Sequence, residues 1–249
     1  MIAAEGLTKR FGPILAVDGV TLRAEDGRIT GLLGPNGAGK STTLRLLYTV
    51  FAPDAGDAQV DGISIVREPL AARARLGVLP HGAGLYPNLT ARENIAYFGA
   101  LHGLARGVVR ERTQELIEAL AMREFADRRA QGLSQGERMK TALARALIHA
   151  PRNLILDEPT TGLDVMAVRS TRQLLLTLRA AGHCILLSSH IMQEVAALCD
   201  DLVVIAGGRV VAADTPQGLL QRAATDSLED AFVRLLETAP RAGEPQAPR

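Results

Sequence analysis

Gly34-Pro35-Asn36-Gly37-Ala38-Gly39-Lys40-Ser41-Thr42 follows the apolar run Ile29-Thr30-Gly31-Leu32-Leu33 and precedes Leu44-Arg45-Leu46-Leu47. The order is strand, glycine loop, helix, and it decides the fold. Glycines at 34, 37 and 39 admit backbone conformations closed to residues with a Cβ, so consecutive amide N–H groups can converge on a phosphate chain. The loop opens onto a helix N-terminus, whose unpaired N–H groups and dipole favour the same negative charge. Lys40 can then reach the terminal phosphates, and the Ser41 hydroxyl can ligate Mg²⁺. A glycine-rich turn with a chance Lys-Ser pair is the alternative, and the strand before and helix after weigh against it. The stretch implies an α/β fold that binds a nucleoside triphosphate, without saying what the triphosphate is spent on.

Downstream, Asn153-Leu154-Ile155-Leu156-Asp157-Glu158-Pro159 reads as a buried strand ending in two adjacent carboxylates. Charges at the carboxyl end of a strand face the binding crevice of an α/β sheet. Asp157 is placed to hold Mg²⁺, directly or through water, and Glu158 to polarise the water that attacks the γ-phosphate. Between the two motifs, Leu133-Ser134-Gln135-Gly136-Glu137-Arg138 opens a helix that stops near Pro151. Ser134 and Glu137 form a capping box. That structural role leaves a second one open, because a serine hydroxyl accepting from a backbone N–H can still donate to a phosphate oxygen.

The rest of the chain is organised around these points. Runs at 2–7 and 20–24 predict short strands forming an antiparallel edge beside the loop, with Asp26-Gly27 as a turn. Phe11 lies between them, one of five phenylalanines, either stacking on a purine base or packing in the core. A hairpin is expected over 57–65 and a strand over 75–80, ending at Pro80. From Thr90 to about Arg129 the periodicity is helical, including 91–101 and 108–120, and Thr90 with Glu93 makes another capping box. An all-helical insertion follows from this. A helix over 165–180, a strand over 184–188, His190, strands near 202–205 and 209–211 and a helix near 228–236 complete the order, and the Pro-, Ala- and Gly-rich segment 239–249 is expected to be disordered.

Composition narrows the class. In 249 residues, 47% hydrophobic and 22% charged, a sizeable core is available. No apolar run approaches the roughly 18 residues of a membrane span, and the opening Met1-Ile2-Ala3-Ala4-Glu5 does not start a signal peptide, so a cytosolic protein is expected. Twenty-eight basic against 27 acidic residues leave a net charge of +1, which offers no general case for nucleic-acid binding. The only lysines are Lys9, Lys40 and Lys140, so one of three sits where a phosphate-binding lysine is required. Cys184 and Cys199 lack any metal-ligand spacing and read as buried free thiols.

Together these motifs, over residues 2–236, closely resemble the ATP-binding subunit of an ABC transporter. The resemblance implies an α/β P-loop NTPase (RecA-like) core with an antiparallel β edge, spanning 1–238, and an inserted α-helical subdomain at approximately 88–150. It implies that Phe11 stacks on adenine, that Gly34–Thr42 is the Walker A loop, and that Leu133–Glu137 is the signature motif. Leu154–Asp157 with Glu158 then matches Walker B plus the catalytic glutamate, Gly162-Leu163-Asp164 the D-loop, and His190 the switch histidine. In the family two subunits pair head to tail, so Ser134 and Gly136 of one contact the γ-phosphate held by Lys40 of the other. ATP and Mg²⁺ are the implied cofactors. The implied partners are a second copy or a similar ATP-binding subunit and an integral membrane permease subunit, with the chain peripheral on the inner face of the membrane. The stretch 84–95, Ser134-Gln135-Gly136 and 227–232 look like the NatA-like branch of sodium and drug exporters.

Three positions depart from the family's pattern. His81 stands where a Q-loop glutamine is usual, Glu137 where the signature more often ends in Gln, and Val165 where a proline often follows the D-loop aspartate. A neutral imidazole suits Zn or Cu better than the oxygen-preferring Mg²⁺. His81 therefore reads as hydrogen-bonding the attacking water or a phosphate oxygen, or as a solvent-facing loop residue. Against the transporter reading stand a soluble ABC-type ATPase acting on DNA or ribosomes, and a regulatory module that binds ATP without turnover. The first usually carries a coiled-coil insertion or two cassettes in one chain, and the second has no need of Glu158 and His190 where they stand.

Overall fold

The computed structural model describes residues 1–82 and 84–237; the expected disordered segment 239–249 lies outside the described residues. Strands β1 (Ile2–Phe11), β2 (Ile14–Ala24) and β3 (Ile29–Leu33) precede helix α1 (Lys40–Leu47). A hairpin of β4 (Ala55–Val60) and β5 (Ile63–Ser64) leads through a short α2 (Pro69–Arg73) to β6 (Leu76–Leu79). Helices α3 (Ala91–Leu101), α4 (Arg106–Ala119) and α5 (Gln135–Leu147) intervene before β7 (Asn153–Asp157). Then come α6 (Val165–Ala180), β8 (Cys184–Ser189), α7 (Met192–Leu198), β9 (Asp201–Ala206), β10 (Arg209–Asp214), α8 (Pro216–Ala223) and α9 (Leu228–Glu237).

The strands form two sheets. The expected antiparallel edge is a sheet of its own, ordered β2-β1-β4-β5, and the six-stranded sheet is ordered β10-β9-β3-β8-β7-β6. In the larger sheet β9, β3, β8, β7 and β6 run parallel and only β10 is antiparallel. Parallel strands covered on both faces are apolar throughout, and every residue of β3, β7 and β8 is buried. Alternation sorts their side chains: Leu32, Ile155 and Leu186 face the layer containing α1, whereas Leu33, Leu154, Leu156, Ile185 and Leu187 face the layer of later helices. Helix α1 is consequently sandwiched, its Leu44, Leu46 and Leu47 packed among residues of both sheets.

The helices between β6 and β7 have a core of their own, built on Ile95, Ile117, Met122, Phe125 and Ile148. Both expected capping boxes are formed, Thr90 with Glu93 and Ser134 with Glu137. Three short helices were not legible in the sequence. α2 has five residues and α7 seven, too few for a periodic stripe, and α8 announces itself only by Thr215 at its N-cap and Pro216. Both cysteines are free and buried, and burial pushes the thiols of Cys184 and Cys199 up to about 11 and about 12.

Where this helical layer meets β6, His102 and His149 stack face to face, with ring centroids 3.7 Å apart and planes 7° from parallel. His149 Nε2 lies 3.0 Å from the Leu76 carbonyl, which can only accept, so that nitrogen carries the proton. Its Nδ1 is buried without a partner among the described residues. Burial, reinforced by His102 and Arg112, lowers the His149 pKa from 6.5 to about 4. The unfolded chain therefore takes up this proton first on acidification, and the contribution of neutral His149 to stability, full above pH 6.5, is lost as pH falls towards 4. His149→Gln, which keeps a donor for Leu76, is expected to flatten the fall in melting temperature between those pH values. Thermal unfolding of both proteins at half-unit pH steps checks this.

Candidate nucleotide site

The loop after β3 is tightly enclosed at two glycines. A Cβ at Gly34 would stand 2.3 Å from the Ile205 carbonyl oxygen, and one at Gly39 would stand 2.5 Å from that of Ala16. Gly39 also has φ of +103°, a conformation that side chains rarely tolerate. Pro35, Asn36 and Gly37 form the exposed crest, while Ala38 is buried and its carbonyl accepts from Gly208 N–H at 3.0 Å. Gly39 caps α1 without any side-chain hydrogen bond, so the first-turn N–H groups and those of Ser41 and Thr42 face the loop, as an anion site requires. Lys40 is 6% exposed. Its Nζ donates to the carbonyls of Gly34 at 2.7 Å and Pro35 at 3.1 Å. Burial lowers the Lys40 pKa, and the nearby Glu158 and Asp157 oppose that shift.

Asp157 ends β7, between β8 and the edge strand β6, and is 2% exposed. Its Oδ1 accepts from Ser188 Oγ at 2.6 Å and from Ser41 Oγ at 3.2 Å. Its Oδ2 is buried with no partner among the described residues. A buried carboxylate oxygen without a donor is costly, and a divalent cation beside the phosphate chain is the chemistry that satisfies it. No three His, Cys, Asp or Glu side chains among the described residues form a closed metal cluster. Mg²⁺ does not require one, since it is usually held by one or two carboxylates, water and substrate phosphates.

Glu158 follows at φ of +54°. That left-handed conformation costs a side-chain-bearing residue about 1–2 kcal/mol, and the surroundings hold it. Its N–H donates to Ser188 Oγ at 3.0 Å, and its Oε2 accepts from Thr161 Oγ1 at 3.1 Å. His190 Nδ1 lies 3.1 Å from Oε1 and His81 Nδ1 lies 3.7 Å from Oε2, so the carboxylate sits between two imidazoles. His81 is 59% exposed, which makes it both loop residue and neighbour of the carboxylate.

The remaining candidates stand further out. Phe11 ends β1, is 40% exposed, meets the ring of Phe51 edge-on with centroids 5.2 Å apart and has Lys9 Nζ 5.8 Å from its ring centre, so it is not a core residue. It sits at the turn into β2, whose Ala16 carbonyl abuts Gly39. Ser134 accepts from Glu137 N–H at 3.3 Å and caps α5, and among the described residues no hydrogen bond joins it to the phosphate loop of the same chain. Gly136 lies against α6, where a Cβ would be 3.2 Å from that of Ala167. Asp164 caps α6, accepting from Ala167 N–H at 2.8 Å. Sequence reasoning missed Ser188 and Thr161, which hold the two carboxylates; a serine at the end of the strand beside β7 was the available signal.

This geometry belongs to a nucleotide-hydrolysing cassette, and comparison with known proteins agrees. Residues 17–161 match the family model described as ABC transporter. The chain is 40% identical to the ABC transporter ATP-binding protein NatA of Bacillus subtilis, over 95% of this chain and 98% of that protein. It is 42% identical to the Nod factor export ATP-binding protein I of Ralstonia nicotianae, over 88% and 68% of the respective chains. Among solved structures, an ATP-binding subunit of an ABC transporter superposes with a TM-score of 0.86 at 26% identity, covering 94% of this chain and 99% of that one. A dimeric cassette in a post-hydrolysis state with ADP and phosphate gives 0.79 at 25% identity, covering 86% and 98%. The chain belongs to the ABC transporter family. Within it, the protein is an ATP-binding subunit with the fold of an ATPase cassette, and its activity is ATP hydrolysis.

Ser188 Oγ donates to the Asp157 carboxylate and accepts from the Glu158 backbone N–H, so it joins the two acidic residues. Ser188→Ala is expected to lower turnover by about 10- to 100-fold, the usual cost of removing a residue that orients a metal-holding carboxylate. The Mg²⁺ concentration for half-maximal turnover should rise with it, because Asp157 loses its shorter hydrogen bond. Steady-state ATPase assays across a Mg²⁺ titration check both effects.

Proposed function

We propose that this chain is the energy-coupling subunit of a membrane exporter, working as an ATP-closed dimer beneath an integral membrane permease. The observation that carries the catalytic half is the meeting of Ser41, on the helix after β3, with Asp157 of β7, from either side of β8, and Ser188 of β8 joins Asp157 to Glu158. In this reading Gly34 to Thr42 cradle the phosphates, Lys40 binds the terminal ones and Phe11 supports adenine. Ser41 and Asp157 hold Mg²⁺, which spreads the charge of the phosphate chain. Glu158 polarises the attacking water. His190 positions Glu158 through Oε1, and His81 hydrogen-bonds the water or a phosphate oxygen.

Ser134 and Gly136 act in trans. Among the described residues no hydrogen bond links Ser134 to the phosphate loop of its own chain, and its helix N-terminus is suited to an anion, so a second subunit supplies the phosphate it contacts. Two composite sites close on ATP, and hydrolysis removes the γ-phosphate contacts that hold the halves together. The helical insertion at approximately 88–150 moves as a unit with respect to the core and passes this motion to the permease. Among the described residues no helix is long and apolar enough to cross a membrane. The chain therefore rides on the cytoplasmic face through its partner, and its net charge of +1 supports no nucleic-acid role. The export assignment is supported by the Nod factor export ATP-binding proteins among the relatives.

Two experiments test this. Lys40→Ala is expected to lose ATP binding. Glu158→Gln should keep it while losing turnover by at least about 100-fold, the scale of a general base. The Glu158→Gln chain should sediment as a dimer with ATP and Mg²⁺, and a chain that stays monomeric at high concentration counts against the shared site. In the second, a Ser134→Arg chain is mixed with a Lys40→Ala chain. One intact composite site forms in each mixed dimer, so partial activity should return; a mixture as inactive as either variant opposes action in trans.

A further inference from the structure

Behind the Glu158–His190 pair lies a cavity of about 220 Å³. It is bounded by Pro159 and Thr160, by Val168 of α6, by Leu187 of β8, and by Val195 and Leu198 of α7. Its walls are mainly aliphatic, and its polar groups are engaged at the margin. Thr160 Oγ1 donates to Glu194 Oε2, Arg172 Nη2 donates to the Ala197 carbonyl at 2.8 Å, and Ser189 Oγ accepts from Ile191 N–H at 3.0 Å. An apolar cavity of about 150 Å³ takes up benzene, so this one has room for a fused bicycle. It is smaller than the about 300 Å³ at which pockets for drug-sized ligands begin. A carboxylate accepts several hydrogen bonds, so Glu194 can take a ligand N–H beside the Thr160 hydroxyl.

We propose that this cavity is a regulatory site for a compact, planar hydrophobe with a single hydrogen-bond donor, of the indole type. Its regulatory part rests on the roles proposed above for Glu158 and His190; binding does not. The cavity wall is continuous with both residues, since Pro159 and Thr160 follow Glu158 directly and Ser189 precedes His190. Thr161, next in the same turn, holds Glu158 Oε2. A ligand that occupies the cavity between Pro159, Thr160 and α7 shifts that turn and moves Glu158 from its place. The phosphate loop lies on another strand, so ATP affinity is unaffected while turnover falls.

Indole itself is the probe, titrated into the full chain by ligand-observed saturation-transfer NMR, with 1-methylindole as the analogue lacking the donor. Saturable binding of indole is expected, about tenfold weaker for 1-methylindole, as the loss of one hydrogen bond to a charged group requires. Val168→Phe and, independently, Leu198→Phe fill the cavity and should abolish the signal, with nucleotide binding and thermal unfolding confirming that each folds. Absence of saturable binding to the wild-type chain, or equal binding to both filled variants, overturns the site. Binding that leaves kcat unchanged at saturating ATP overturns the regulatory role. A chain that binds indole but never hydrolyses ATP contradicts the catalytic reading instead, so the two failures are distinguishable.

Discussion

One carboxylate oxygen ties the nucleotide site together. Asp157 Oδ1 accepts hydrogen bonds from Ser41, at the start of the helix after β3, and from Ser188, near the end of β8. Three elements are thereby joined at one point: the phosphate helix, the strand carrying the acidic pair and the strand leading to His190. Desolvation makes the arrangement exacting. A charge 2% exposed costs several kcal/mol by effective estimates unless donors or a cation compensate it. Two hydroxyls serve Oδ1, and Oδ2 has no donor among the described residues.

The same crowding sets the backbone. Glu158 is held at positive φ by its N–H to Ser188 and its side chain to Thr161, with an imidazole beside each oxygen. Gly34 and Gly39 press against the carbonyls of Ile205 and Ala16, so β9 and β2 shape the phosphate loop from outside. The smaller sheet is thus part of the site: through Ala16 it fixes the loop, and through Phe11 it presents an aromatic at the rim. Sandwiching α1 between the sheets makes its N-terminus rigid, and a preorganised anion site depends on that rigidity.

Much of this was legible in the chain because its signals are local. Glycines 34, 37 and 39, Lys40 and Ser41 fall within one turn, and Asp157 and Glu158 are adjacent. Helix boundaries with caps were readable to the residue at 91–101 and 165–180, where Thr90 and Asp164 bond the first turn. Elements without an internal signal were not. α2 and α7 are shorter than two helical periods, and β1 and β2 extend to Phe11 and from Ile14 because they pair with each other across the Gly12-Pro13 turn.

The sequence by itself determined the α/β core, the nucleotide chemistry and the capping boxes, since each depends on residues within a few positions of one another. Only the tertiary structure decided that the antiparallel strands form a separate sheet, that Phe11 stays at the surface, and that His81 and His190, 109 positions apart, come to opposite oxygens of Glu158. It alone placed Ser188 between the Asp157 carboxylate and the Glu158 backbone N–H, and left Asp157 Oδ2 without a donor among the described residues. Those facts arise from strand order and sheet packing, which bring together residues far apart along the chain, and no local propensity encodes which ends will meet.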